Sequence, residues 1–170
     1  SCFFVPSAQA RLPRSAMSAQ PLRIAMWSGP RNISTALMRS WGNRPDTFVC
    51  DEPLYAHYLQ ITRRAHPGAD EVIAHHETDW RKAVAWLTQE QPGGKAIFFQ
   101  KQMAHHLLPS IDRGWLASVT NCFLIRDPRE MITSLLKHVP DAQIEVFRQL
   151  GEAREGAAHA AGRAQERDLH

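Results

Sequence analysis

The chain has 170 residues, 44% of them hydrophobic and 22% charged, with a net charge of +3 and a pI near 9.0. This fits one globular domain able to bury a core without staples; the basic excess suits an anionic ligand but is too diffuse to argue for nucleic acid. Cys2, Cys50 and Cys122 show no paired spacing, and no apolar run approaches the length of a membrane-spanning helix, so the expectation is a reducing, cytoplasmic setting with no membrane partner.

In chain order, residues 1–16, "SCFFVPSAQARLPRSA", carry Arg11 and Arg14 and no acid. A transit peptide can look like this, but the segment has no clear amphipathic period. The reading is a disordered or spurious extension, with Met17 as the natural start of a domain over 17–150. A strand is expected over Leu22 to Trp27, followed by a tight Ser28-Gly29-Pro30 loop. Ile33, Leu37, Met38 and Trp41 then form one helical stripe, stopped by Pro45. Thr47 to Cys50 reads as the second strand. Tyr55 to Arg64 and Glu77 to Gln89 read as two helices joined at "HPGAD", the second ending at "QPGGK". Ala96 to Gln100 and Val119 to Ile125 read as further strands with a short helix between them. In "RDPREMITSLLKH", Asp127 is placed to cap a helix, Pro128 to open it and Glu130 to complete a capping box. Met131, Ile132, Leu135 and Leu136 form its apolar stripe, with Ser134 on the polar flank. Residues 151–170 have Leu169 as their only large apolar residue and read as a frayed, truncated or disordered tail. Strands alternating with helices predict an α/β fold with a parallel sheet.

Polar residues cluster where such sheets bind ligands. Arg31 follows the first strand, Asp51 and Glu52 the second, Lys101 with His105 and His106 the third, and Arg126 ends the fourth. All stand at the carboxyl edge. Two arginines, a lysine and a glutamate there describe an anion site with a carboxylate inside it. The first loop has the strand–turn–helix shape of a phosphate cradle but lacks the G-x-x-x-x-G-K-[ST] ending of nucleoside triphosphatases.

Two motifs carry a resemblance. "GPRNISTALMRS" resembles the 5′-phosphosulfate loop of sulfotransferases. "RDPREMITS" is similar to their 3′-phosphate motif, with Arg126 at a strand end and Ser134 eight residues later. The "DEPLYAHYL" and "QMAHH" segments resemble those of bacterial members of that family. In some plant proteins a similar domain is fused to an aminotransferase-like one. The resemblance implies a three-layer sandwich of the P-loop nucleoside triphosphate hydrolase-like (sulfotransferase) fold. It also implies the donor 3′-phosphoadenosine-5′-phosphosulfate, no metal, and a small acceptor bearing a hydroxyl or an amine. On it, Gly29, Arg31, Asn32, Ile33, Ser34 and Thr35 would hold the phosphosulfate, and Arg126 and Ser134 the 3′-phosphate. Glu52 is the candidate base, with Arg31 and Lys101 assisting. In cytosolic family members a histidine after the third strand serves instead. Here Gln102 and Met103 occupy that place, leaving His105 and His106 as second choices.

Plainer readings compete. Glu52, just before Pro53, has the right position to cap the next helix. The pairs His75-His76 and His105-His106 invite a zinc reading, but adjacent side chains diverge and no matched ligands accompany them. The tryptophans read mainly as core, with Trp27 able to stack on adenine. A non-catalytic nucleotide-binding domain is the alternative to a transferase.

Overall fold

The computed structural model describes residues 2–6, 20–64 and 66–136. Its elements are β1 (Cys2–Pro6), β2 (Leu22–Ser28), α1 (Ser34–Gly42), β3 (Thr47–Asp51), α2 (Tyr55–Thr62), α3 (Ala69–His75), α4 (Trp80–Gln89), β4 (Ile97–Met103), β5 (Thr120–Arg126) and α5 (Pro128–Leu136). Single turns of 3-10 helix cover Pro92–Gly94, Ala104–His106 and Gly114–Ser118.

Side chains alternate across a strand, so a strand that is apolar throughout must be covered on both faces. β2 meets that condition from Ile24 to Trp27. Ala25 and Trp27 point to one side, with Phe98, Leu54, Leu87, Ile111 and Leu116. Ile24 and Met26 point to the other, with Phe99, Cys122 and Leu124, and Leu37, Met38 and Trp41 of α1 pack over them. The result is an α/β sandwich of three layers, with α1 on one face and α4 and the connecting turns on the other. Each large side chain removed from water contributes about 1.5–3 kcal/mol, and Trp27, Phe98 and Phe99 at the sheet centre are among the most deeply buried.

The strand order is β1-β5-β2-β4-β3. β5, β2, β4 and β3 run parallel, which brings Ser28 level with Met103 and Leu124, and Asp51 level with Lys101. The carboxyl ends of four strands therefore open on one edge.

Three expectations change. Residues 1–16 hold a strand: Cys2–Pro6 pairs antiparallel with β5, Cys2 opposite Arg126 and Pro6 opposite Cys122. The short "FFV" run favours extended backbone, and the outer edge of β5 supplies its partner. Residues 7–19 lie outside the described residues, as do 137–170, including the predicted tail. The expected helix over 77–89 starts later, at Trp80, and an unexpected helix, α3, precedes it in the stretch read as a joint. Gly68, at φ 78°, turns the chain into α3, and Asp79 caps α4 by accepting from Arg81 N–H at 2.9 Å. Lastly, Asp127 does cap α5, accepting from Arg129 N–H at 2.8 Å, but Glu130 pairs with Arg126 at 3.2 Å, one turn back, and makes no box.

Candidate active site

At the carboxyl edge, β2 ends in a loop whose left-handed residue is Arg31, at φ 60°, and not Gly29. That conformation is costly for a side chain larger than glycine, so the surroundings hold it. Asn32 Nδ2 donates to the Leu124 carbonyl at 2.9 Å, and Arg126 donates from NH1 to the Arg31 carbonyl at 3.0 Å. Arg31 Nε in turn donates to Ser134 Oγ at 3.2 Å. Arg31, Arg126 and Ser134, up to 103 residues apart in the chain, thus meet in one place.

The loop feeds α1, whose opening turn has no side-chain cap at Ile33. Its first amides are the unfilled donors that attract anions. Ser34 is buried, while Thr35 and the Ile33 side chain face solvent. Asn32 Oδ1 is buried without a hydrogen-bond partner among the described residues.

The second half of the edge is built by β3 and β4. Glu52 N–H donates to the Lys101 carbonyl at 3.0 Å, and the Glu52 backbone also sits in the left-handed region, at φ 47°. Lys101, buried on β4, places its ammonium 2.7 Å from Asp51 Oδ1 and 2.5 Å from Glu52 Oε1. Burial opposes that charge, but the bonds to the two carboxylates outweigh it and raise the lysine pKa above its ordinary value. The expected capping role of Glu52 is absent in the side chain: it is the Glu52 carbonyl that accepts, from Tyr55 N–H at 2.9 Å.

His105 and His106 occupy the single turn after β4. His106, not His105, approaches the glutamate, with Nδ1 4.0 Å from Glu52 Oε2. It lies between Tyr55, stacked at 4.9 Å, and Tyr58 at 4.8 Å, while His105 packs edge-on against Tyr58 at 5.3 Å. Burial, then the Arg64 charge, lowers the His105 pKa to about 4. Burial, His105 and Lys101 lower His106 well below its ordinary value. Both rings are neutral at pH 7. Burial, with Glu52 and Tyr58 nearby, raises the Tyr55 phenol pKa.

A cleft of about 790 Å³ opens beside Asp51 and Glu52, with Tyr55, Val72 and Trp86 on its walls. Sequence reasoning placed Arg31, Glu52, Lys101, Arg126 and Ser134 at the edge. It missed this cleft, the central position of His106, and Asp51 as second partner of the lysine. The adjacent Asp-Glu pair after a strand was the available signal. Trp27, expected as an adenine platform, is fully buried and donates from Nε1 to Asn121 Oδ1 at 2.9 Å, so it is core. Among the described residues no group of three metal-ligating side chains occurs, and no helix is long and apolar enough to cross a membrane.

A parallel α/β sheet with an arginine-bearing loop before a helix, and a second arginine at the neighbouring strand end, fits a fold of the P-loop-like class. The sulfotransferase domain family matches residues 22–147, and the chain belongs to it. Over 128 residues, 75% of the chain, it is 34% identical to branched-chain-amino-acid aminotransferase-like proteins 1 and 2 of Arabidopsis thaliana. The matched segment spans 23% and 22% of those two proteins, so the chain corresponds to about a quarter of their length. No solved structure matches significantly.

Proposed function

We propose that the chain is a sulfotransferase moving a sulfuryl group from 3′-phosphoadenosine-5′-phosphosulfate to a hydroxyl or amine of a small acceptor. The observation that carries this reading is the meeting of Arg31, Arg126 and Ser134 across the two motifs. Arginine supplies a permanently charged fork for paired oxygens. Arg31 and the uncapped first turn of α1 would hold the 5′-phosphosulfate. Arg126 and Ser134 would hold the 3′-phosphate, and the unpartnered Asn32 Oδ1 leaves an acceptor for a donor group on the nucleotide.

The donor supplies the activated sulfuryl group. Glu52, fixed by Lys101 and open to the cleft, takes the proton from the acceptor as the new bond to sulfur forms. As the bond to the departing phosphate breaks, Arg31 and the α1 amides stabilise the charge left on its oxygens. Lys101 is then a positioning residue, since its ammonium is committed to two carboxylates. Neutral His106 stands behind Glu52, within a small movement of donating to Oε2.

Titration calorimetry of 3′-phosphoadenosine-5′-phosphate against AMP tests the donor side. One charge-assisted contact to the extra phosphate contributes about 1.5–3 kcal/mol, or about ten- to a hundredfold in affinity. Equal affinity would sink the assignment. Radiolabelled sulfate transfer to phenols, sugars and amines tests the chemistry. Bisphosphate preference without transfer to any of them would favour a non-catalytic nucleotide-binding domain.

A further inference from the structure

The cleft beside Glu52 has a lining of two kinds, apolar and charged. Its volume of about 790 Å³ is suited to a small organic molecule. Tyr55, Ala56, Val72, Ala83 and Trp86 form an apolar lining. Trp86 remains 36% exposed, although Phe48 and Phe98 hold it edge-on with ring centroids 6.3 and 4.9 Å away. A large aromatic ring that is pinned in place yet open on a concave surface is a platform for a flat or branched apolar body.

The charges do not balance. Among the described residues Asp51 and Glu52 share one ammonium, that of Lys101, which leaves one carboxylate in excess. The lysine side chain is 5% exposed against 51% for Asp51, so an occupant meets the carboxylates before the ammonium. At the rim Glu77 and Lys82 stand 3.9 Å apart and offset each other, with His76 beside them. A partly desolvated cleft with an uncompensated carboxylate attracts a cation and repels an anion.

We propose that this cleft is an acceptor site selective for small molecules that join an apolar, aromatic-sized body to a cationic amine, with Asp51 reading the amine. Calling the occupant an acceptor rests on the transferase reading above; the charge preference rests on the cleft alone. In the reaction, the acceptor hydroxyl oxygen bonds to sulfur, the sulfur–oxygen bond to the donor phosphate breaks, and the hydroxyl proton passes to Glu52. The ammonium stays intact against Asp51.

The test compares three phenols of similar size: 4-(2-aminoethyl)phenol, 4-ethylphenol and 3-(4-hydroxyphenyl)propanoate. Binding to the full chain is measured by calorimetry with and without saturating 3′-phosphoadenosine-5′-phosphate. The amine is expected to bind about tenfold tighter than the neutral phenol, and the carboxylate weakest. Asp51→Asn should remove most of the gap. Lys82→Glu, on the exposed rim, should widen it, and it decides the matter if the first variant fails to fold. Equal binding of the three, no binding of the amine, or a preference unmoved by either substitution overturns the proposal. A chain that prefers the amine but binds AMP as well as the bisphosphate would refute the donor reading and leave this cleft assignment standing. Bisphosphate preference without amine preference would do the reverse.

Discussion

Arg126 serves the first loop through that loop's own backbone, donating to the Arg31 carbonyl while its Nε pairs with Glu130. Replacing it with alanine should therefore erase the preference for the 3′-phosphate, a loss of about ten- to a hundredfold, and also weaken AMP binding to a smaller degree, because the loop loses a bond that holds it. Calorimetry with the two nucleotides checks this. Glu52→Gln should keep nucleotide affinity and lose about two to four orders of magnitude in transfer rate, the usual weight of a general base, read from single-turnover sulfate transfer. Glu52 shares a further property with Arg31: both sites of proposed chemistry carry backbone cost. Arg31 and Glu52 both lie in the left-handed region, at φ 60° and 47°. A glycine there relieves strain that an alanine retains. Arg31→Gly should thus be about 1 kcal/mol more stable than Arg31→Ala in urea denaturation, although both lose the same guanidinium.

Among the elements, the single turn after β4 governs pH behaviour. In an unfolded chain His105 would take a proton near 6.5, but in the fold only near 4, and His106 is depressed as well. The unfolded state binds more protons between those values, so this stability is fully present above pH 6.5 and is lost as pH falls toward 4. Each ring contributes at most about 1.4 kcal/mol per pH unit across its window. Thermal midpoints at pH 7, 6, 5 and 4 should fall, and His105→Phe should flatten part of the slope. The same turn shows where sequence reading stops. Two adjacent histidines look equivalent in a string of letters, and only the turn decides that His106 faces Glu52. The four parallel strands were legible because each is an apolar run bounded by turn residues, and the strand-end arginines followed from their positions. Helix α3 was not legible: none of its seven residues is buried, so it has no apolar stripe to betray a period. The cleft escaped for the same reason, since its rim comes partly from the link between α3 and α4.

For the molecule as a whole, the parallel sheet ends at β5, and β1 covers that end through five backbone register pairs. A chain beginning at Met17 would expose the β5 edge. Amide hydrogen exchange along Thr120–Arg126 should quicken in that shortened chain relative to the full one, with a lower thermal midpoint. Unchanged exchange would show that the edge needs no cover. The antiparallel direction of β1 has a practical side. Cys2 lies opposite Arg126, at the end of the sheet where nucleotide is proposed to bind, and Pro6 lies toward the opposite end. Whatever is fused ahead of Cys2 therefore enters the fold beside Arg126. A purification handle placed there, above all a run of histidines or acids, would crowd or charge the nucleotide edge and distort any binding measurement. Handles should be removed before nucleotide titrations, and an affinity that changes on their removal would report this neighbourhood directly.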